Sequence, residues 1–212
     1  MPVQRFAIDS PAAIGAGVGA ELNVIGIARA LVRDQLLFAE GDSADLVYKM
    51  VCGVVRTYRL LADGRRQITG FHLPGDIFGV ELRQARSEAA EAVAEATVIV
   101  ARRSSLTEEP GEALWRHTMG VLRHSEDHVL TLGRRSAAER VASFLLDLAE
   151  RLGGRDEIAL PMSRQDIADY LGLTIETVSR TLTQLQMRGF IRAEGCRRLR
   201  LQRRATLSEL CK

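Results

Sequence analysis

The chain has 212 residues, 46% hydrophobic and 26% charged, which suits two small domains, or one large one, able to bury a core and stay in solution. No run approaches the ~20 apolar residues of a membrane span, and Asp9 and Pro11 break any N-terminal leader pattern. Three scattered cysteines, Cys52, Cys196 and Cys211, exclude a disulfide scaffold and point to a reducing cytoplasm. The formal net charge of +2 is uneven: from Arg155 to Lys212, 11 basic residues meet 7 acidic ones, whereas the rest holds 18 against 20. The C-terminal part is the one that attracts a polyanion.

Residues 1–20, rich in Ala, Gly and Pro, read as a flexible arm. Residues 21–108 carry short strand signals. Val47–Val51 and Val54–Leu60 flank a turn at Cys52-Gly53. Asp63-Gly64 is a hairpin signal between Val54–Leu61 and Gln67–Leu73, and Pro74-Gly75-Asp76 makes another turn. Thr97–Arg102 is a late, β-branched strand. Many short strands with glycine turns predict a sandwich or barrel. Over 109–133 the period becomes helical, and Leu114, Val121, Leu122, Val129 and Leu132 form a loose stripe.

Residues 134–212 form the last unit. Ser136 and Glu139 fit a capping box opening a helix to Leu152, with Val141, Phe144, Leu145 and Leu148 inward and Gly153-Gly154 as its end. Ile158–Pro161 reads as a short strand. From Ser163 to Arg180 two short helices are joined by a turn at Gly172. Ile167, Ala168 and Leu171 line the first, and Val178, Leu182 and Leu185 the second, with Thr174 as its N-cap. Ile175, Glu176, Ser179 and Arg180 then face outward near the second helix start, where a recognition helix presents side chains to a major groove. Phe190–Ala193 and Leu199–Gln202, after Gly189, predict a basic β-hairpin wing.

This order, together with Gly53–Gly79, Ala137–Leu148 and Met162–Arg180, resembles the family of the cyclic-AMP receptor protein and the fumarate–nitrate reductase regulator (CRP/FNR), and within it the FixK-type branch. The resemblance implies an α+β fold. A β-roll like a cyclic-nucleotide-binding domain comes first, then a long dimerisation helix, then a winged helix-turn-helix. It implies a homodimer paired through the long helix at Leu114, Val121, Leu122, Val129 and Leu132. The partners are then double-stranded DNA and RNA polymerase, with no membrane. Such a protein is no enzyme; it regulates transcription, usually as an activator, here of low-oxygen or nitrogen-fixation-type genes. A ligand-gated or redox-gated regulator, or a repressor, is the alternative.

The pattern Glu176-x-x-Ser179-Arg180 is similar to that of regulators reading TTGAT half-sites, with Ile175 where cyclic-AMP receptors carry Arg. Arg180 can donate twice to guanine, Glu176 can accept from a base amino group, and Ser179 meets a thymine methyl or neighbouring base. Phosphate contacts are expected from Ser163, Arg164, Thr174 and Thr177, and from Arg197, Arg198 and Arg200 on the wing. In the β-roll, Gly79-Val80-Glu81 partly matches the family's nucleotide cassette. The Arg-Ser pair that clamps the cyclic phosphate is expected near Glu88-Ala89, where a carboxylate repels it; Arg86-Ser87 lies two residues away. No cofactor is therefore expected. An iron–sulfur cluster needs about four thiolates, His72 reads as structural, and the His117, His124 and His128 spacing reads as an interface rather than a metal site. Cys196, beside Arg197-Arg198, is a candidate redox thiol.

Overall fold

The computed structural model describes residues 24–108, 111–134, 136–195 and 197–211. Strands β1 (Ile27–Leu31), β2 (Leu36–Phe38), β3 (Leu46–Cys52), β4 (Val55–Leu60), β5 (Arg66–His72), β6 (Ile77–Phe78), β7 (Ala89–Ala92) and β8 (Ala96–Arg102) form two four-stranded antiparallel sheets, ordered β1-β8-β3-β6 and β2-β7-β4-β5. Their facing sides bury Leu31, Phe38, Tyr48, Met50, Val55, Phe78 and Val98 in one cluster. Alternation along the strands puts every second side chain into this layer.

Local chemistry places the turns. At Cys52-Gly53 the chain passes from one sheet to the other. Gly53 has φ +80°, and a Cβ there would stand 2.4 Å from the Glu95 carbonyl oxygen, so only glycine fits. Asp63-Gly64 closes the β4–β5 hairpin, whose register runs from Val55↔His72 to Leu60↔Arg66. The Ala-Glu-rich β7 has no strand signal in the sequence, because alanine is a poor strand former. It lies between β2 and β4, and the small Ala90 and Ala92 are buried against the opposite sheet.

A 3-10 turn (Arg103–Glu108) leads to helix α1 (Gly111–Arg134). Helix α2 (Ala137–Arg151) opens on the reciprocal Ser136–Glu139 capping box and buries Val141, Phe144, Leu145 and Leu148. Then come β9 (Glu157–Ala159), α3 (Arg164–Leu171), α4 (Ile175–Met187), β10 (Ile191–Ala193), β11 (Arg198–Leu201) and α5 (Arg204–Glu209). Strands β10-β11-β9 form the wing sheet. No local signal announces α5, a six-residue helix fixed by the fully buried Leu207.

One apolar cluster runs through both halves of the molecule. Ile68, Phe71, Leu73 and Val93 of the β-roll belong with Phe144, Leu145, Ile167 and Tyr170 of the C-terminal unit. Phe71, Phe144 and Tyr170 meet with ring centroids 5.3–6.0 Å apart.

Candidate nucleic-acid interface

Helix α3 ends at Gly172, whose left-handed φ of 61° turns the chain, and Thr174 caps α4 by accepting from the Thr177 amide at 3.2 Å. Val178, Leu182 and Leu185 bury one face of α4 against the cluster. The other face carries Glu176 and Arg180, exposed, and Ser179, half-buried. Bonds from its own backbone N–H and the Thr174 hydroxyl hold the Glu176 carboxyl below the usual carboxylate range. Glu176 is thus an acceptor at neutral pH, one turn before the donor Arg180.

The expected phosphate-binding residues divide by what already engages them. Arg164 is exposed at the start of α3. Ser163 is the α3 N-cap, and both of its donors point to Asp166: the amide at 2.9 Å and the hydroxyl at 2.8 Å. A phosphate bond from Ser163 has to displace one of these. Thr174 and Thr177 share a hydroxyl–hydroxyl bond of 3.0 Å. On the wing, Arg200 pairs with Glu194 at 2.8 Å and Glu157 at 3.5 Å, and Arg198 stands 3.9 Å from Glu157. Arg197 is exposed. Cys196 lies outside the described residues.

The structure sends the five stripe residues of α1 in different directions. Leu114 is half-buried against Ile77, Ala101 and Leu106 of its own chain. Val121, 44% exposed, stands at the edge of a cavity beside His72 and Ser125, and Leu132 approaches Gly172 of the helix-turn-helix. Leu122 and Val129 stand on the outer face, 48% and 66% exposed. They are joined there by Trp115, Met119 and Leu130, which the sequence stripe leaves out although 115, 119, 122 and 129 fit one helical face. The inner face is mixed, with polar groups beside Ala113 and Leu114. His117 and Thr131 are buried, and His128 stacks on Tyr170 at 4.1 Å. The imidazoles thus serve packing between α1 and its neighbours, and desolvation holds His128 below its ordinary pKa. Among the described residues no group of three or more His, Cys, Asp or Glu is placed to hold a metal.

The cavity between the β-roll and α1, about 290 Å³, is lined by Thr57, Thr69, His72, Glu88, His124 and Arg151 among others. Glu81 accepts from both the amide and the hydroxyl of Ser87, so Arg86-Ser87, rather than Glu88-Ala89, is the pair set beside the cassette glutamate. Arg86 nonetheless turns into the core. It donates to the carbonyls of Gly79 and Leu46 and lies over the Phe38 ring. Arg151 is held by Asp76 at 2.5 Å and Asp147 at 3.5 Å. Burial pushes the Glu88 carboxyl up, and Thr69 donates to it.

Residues 28–109 match the cyclic nucleotide-binding domain, and residues 139–210 match the Crp-like helix-turn-helix domain. The chain is 47% identical over 175 residues to the nitrogen fixation regulation protein FixK of Rhizobium meliloti, covering 82% of each chain. It is 45% identical over 197 residues to FixK of Azorhizobium caulinodans, covering 88% of this chain and 79% of that one. FixK2 from Bradyrhizobium japonicum has a similar structure, with a TM-score of 0.84 and 46% identity over 89% of this chain and 98% of the other. With its β-roll, long helix and winged reading head, the chain belongs to the CRP/FNR family of transcription regulators and is FixK-like.

Proposed function

We propose that the chain is a homodimeric, sequence-specific transcription activator that reads a TTGAT–ATCAA palindrome with a spacer of about four base pairs. In this reading it works without a cyclic nucleotide and touches RNA polymerase at low-oxygen or nitrogen-fixation-type promoters. The observation that carries it is the outward display of Glu176, Ser179 and Arg180 on a helix whose other face is locked into the core. The FixK names of relatives at 45–47% identity support the activator role.

Dimerisation is supported by an exposed apolar stripe on α1. Along it Trp115, Met119, Leu122, Val129 and Leu130 are left to solvent. A second copy of the stripe covers them at a gain of ~25 cal/mol per Å² of apolar area. Nucleotide independence is supported by the cavity chemistry. Arg86 is turned away, Arg151 is paired, and Glu88 adds a carboxyl, so among the described residues that line the cavity no guanidinium is left over for a cyclic phosphate. The same reading divides the chain into an arm (1–20), a β-roll (21–108), a dimerisation helix (109–133) and a DNA-binding unit (134–212).

Selection of bound duplexes from a random pool by the purified apo protein tests this directly. An enriched TTGAT-type palindrome is the expected result. Enrichment that appears only with added cyclic AMP, or of a single unrepeated half-site, overturns it.

A further inference from the structure

The β-roll and the reading head are joined by more than an apolar contact. Arg66 on β5 reaches α3 with Nη2 at 2.6 Å from Asp166 Oδ1 and 2.9 Å from Asp169 Oδ2, and with Nε at 3.0 Å from Asp169 Oδ2. Arg56 on β4 donates through Nη1 to both Asp166 oxygens, at 3.1 and 3.3 Å. Its Nη2 is anchored on Glu91 at 2.9 Å and Asp34 at 3.3 Å. The Gln67 amide adds a 2.7 Å bond to the Asp169 carbonyl. The Arg56 and Asp166 side chains are only 9% and 3% exposed.

Buried ion pairs add little net stability, because desolvation offsets their attraction; where they are retained they can fix one geometry among several. Two features make this one directional. Asp166 and Asp169 lie one turn apart on one face of α3, and the two guanidiniums sit on neighbouring strands of one sheet. Four such points fix an angle, whereas the Phe71–Phe144–Tyr170 contact alone lets two surfaces slide. Asp166 is also part of the α3 cap, accepting from Ser163. The clasp therefore grips the helix end that faces the expected phosphates, and α4 follows after Gly172 with Val178 and Leu182 in one cluster with Ile167 and Leu171 of α3.

We propose that Arg56 and Arg66 are positioning residues for DNA binding: an ionic clasp on α3 sets the angle at which each reading head meets its groove. This rests on the dimeric reading above. Two heads on a two-fold axis must enter grooves ~34 Å apart, so an angular error in each weakens the full palindrome far more than one half-site.

The test compares wild type, Arg66→Glu, Asp169→Arg and the double reversal, as full chains, on duplexes carrying the palindrome or one intact half-site. The readout is the ratio of the two affinities, because an added arginine on α3 shifts both alike. Arg66→Glu is expected to lower the ratio roughly tenfold, in the usual range of coupling between sites, and the double reversal to restore most of it. Arg66→Gln serves if the Glu variant does not fold. Equal losses on both duplexes, an unchanged ratio, or no recovery in the double variant overturns the proposal. Hydrogen exchange without DNA, at the amides of α3 and β5, should rise in the single variants and fall back in the double one; exchange that stays at the wild-type level also overturns it. A wild-type protein that prefers no palindrome overturns the DNA-site reading instead, and the exchange pattern still tells a clasp that holds from one that does not.

Discussion

Arg180 leaves α4 one turn after Glu176, on the side that the core does not use. An exposed guanidinium so placed either forks onto guanine or rests on phosphate, and the two roles separate by experiment. As a base reader, Arg180→Ala should cost about 1–3 kcal/mol per half-site and relax choice at the guanine. Binding assays on operators substituted at that base check it. A loss equal for every base makes Arg180 a phosphate contact and removes the half-site assignment. The wing supplies a second prediction. Glu157 faces Arg198 and Arg200 on the adjacent strand, so its carboxylate holds charge that would otherwise meet DNA. Glu157→Gln should strengthen binding to all sequences and, with Arg200 still held by Glu194, steepen the salt slope by roughly one unit if Arg198 then neutralises one further phosphate. A slope that is the same in wild type and variant means that the wing does not reach the backbone.

At the scale of elements, α1 departs most from a lone-domain helix, because its apolar stripe faces outward. Leu122 lies midway along that stripe and is 48% exposed, so Leu122→Asp leaves the protomer's own packing intact and places a charge in the proposed seam. Sedimentation at micromolar concentration should find monomers; an intact dimer there sinks the α1 seam. The stripe legible in the sequence holds Leu122 and Val129, which face outward, Val121, exposed at the edge of a cavity, and Leu114 and Leu132, which turn inward. Period alone does not separate the two pairs: all four are apolar and helical, and only the folded neighbours show Leu114 and Leu132 turned toward their own chain. Elements with local signals are legible in advance. The β4–β5 hairpin has its Asp-Gly tip, α2 its Ser-x-x-Glu box, and the helix-turn-helix its Gly172 and Thr174. Strand β7 is not, since its alanines suit a buried slot rather than a strand propensity. Nor is the clasp, which joins Arg56 to Asp166 across 110 residues of chain and leaves no spacing to detect.

For the whole molecule, one apolar cluster joins the β-roll and the reading head, and the pH response of stability follows from titratable groups buried near it. His72 stacks on Phe78 at 4.3 Å and shares a 3.2 Å bond with Thr57. Desolvation carries its pKa from the ordinary 6.5 down to about 4, against the opposing pull of Asp76 and with smaller help from Arg151 and His124. Between those two values the unfolded chain binds the proton and the folded one does not. The stabilisation is therefore fully present above pH 6.5 and is lost as the pH falls toward 4. The shift corresponds to on the order of 3 kcal/mol. His128, lowered by burial between α1 and α3, acts with the same sign, while Glu88, raised by burial, acts with the opposite one. Comparison with His72→Gln isolates the imidazole, since glutamine keeps a partner for Thr57 and does not titrate. Chemical denaturation from pH 7.5 down to 4.5 should show wild-type stability falling more steeply than that of His72→Gln. The gap between them should be widest at neutral pH and narrow as acid protonates the unfolded chain. Parallel curves across that range mean that His72 stays accessible to protons in the folded protein.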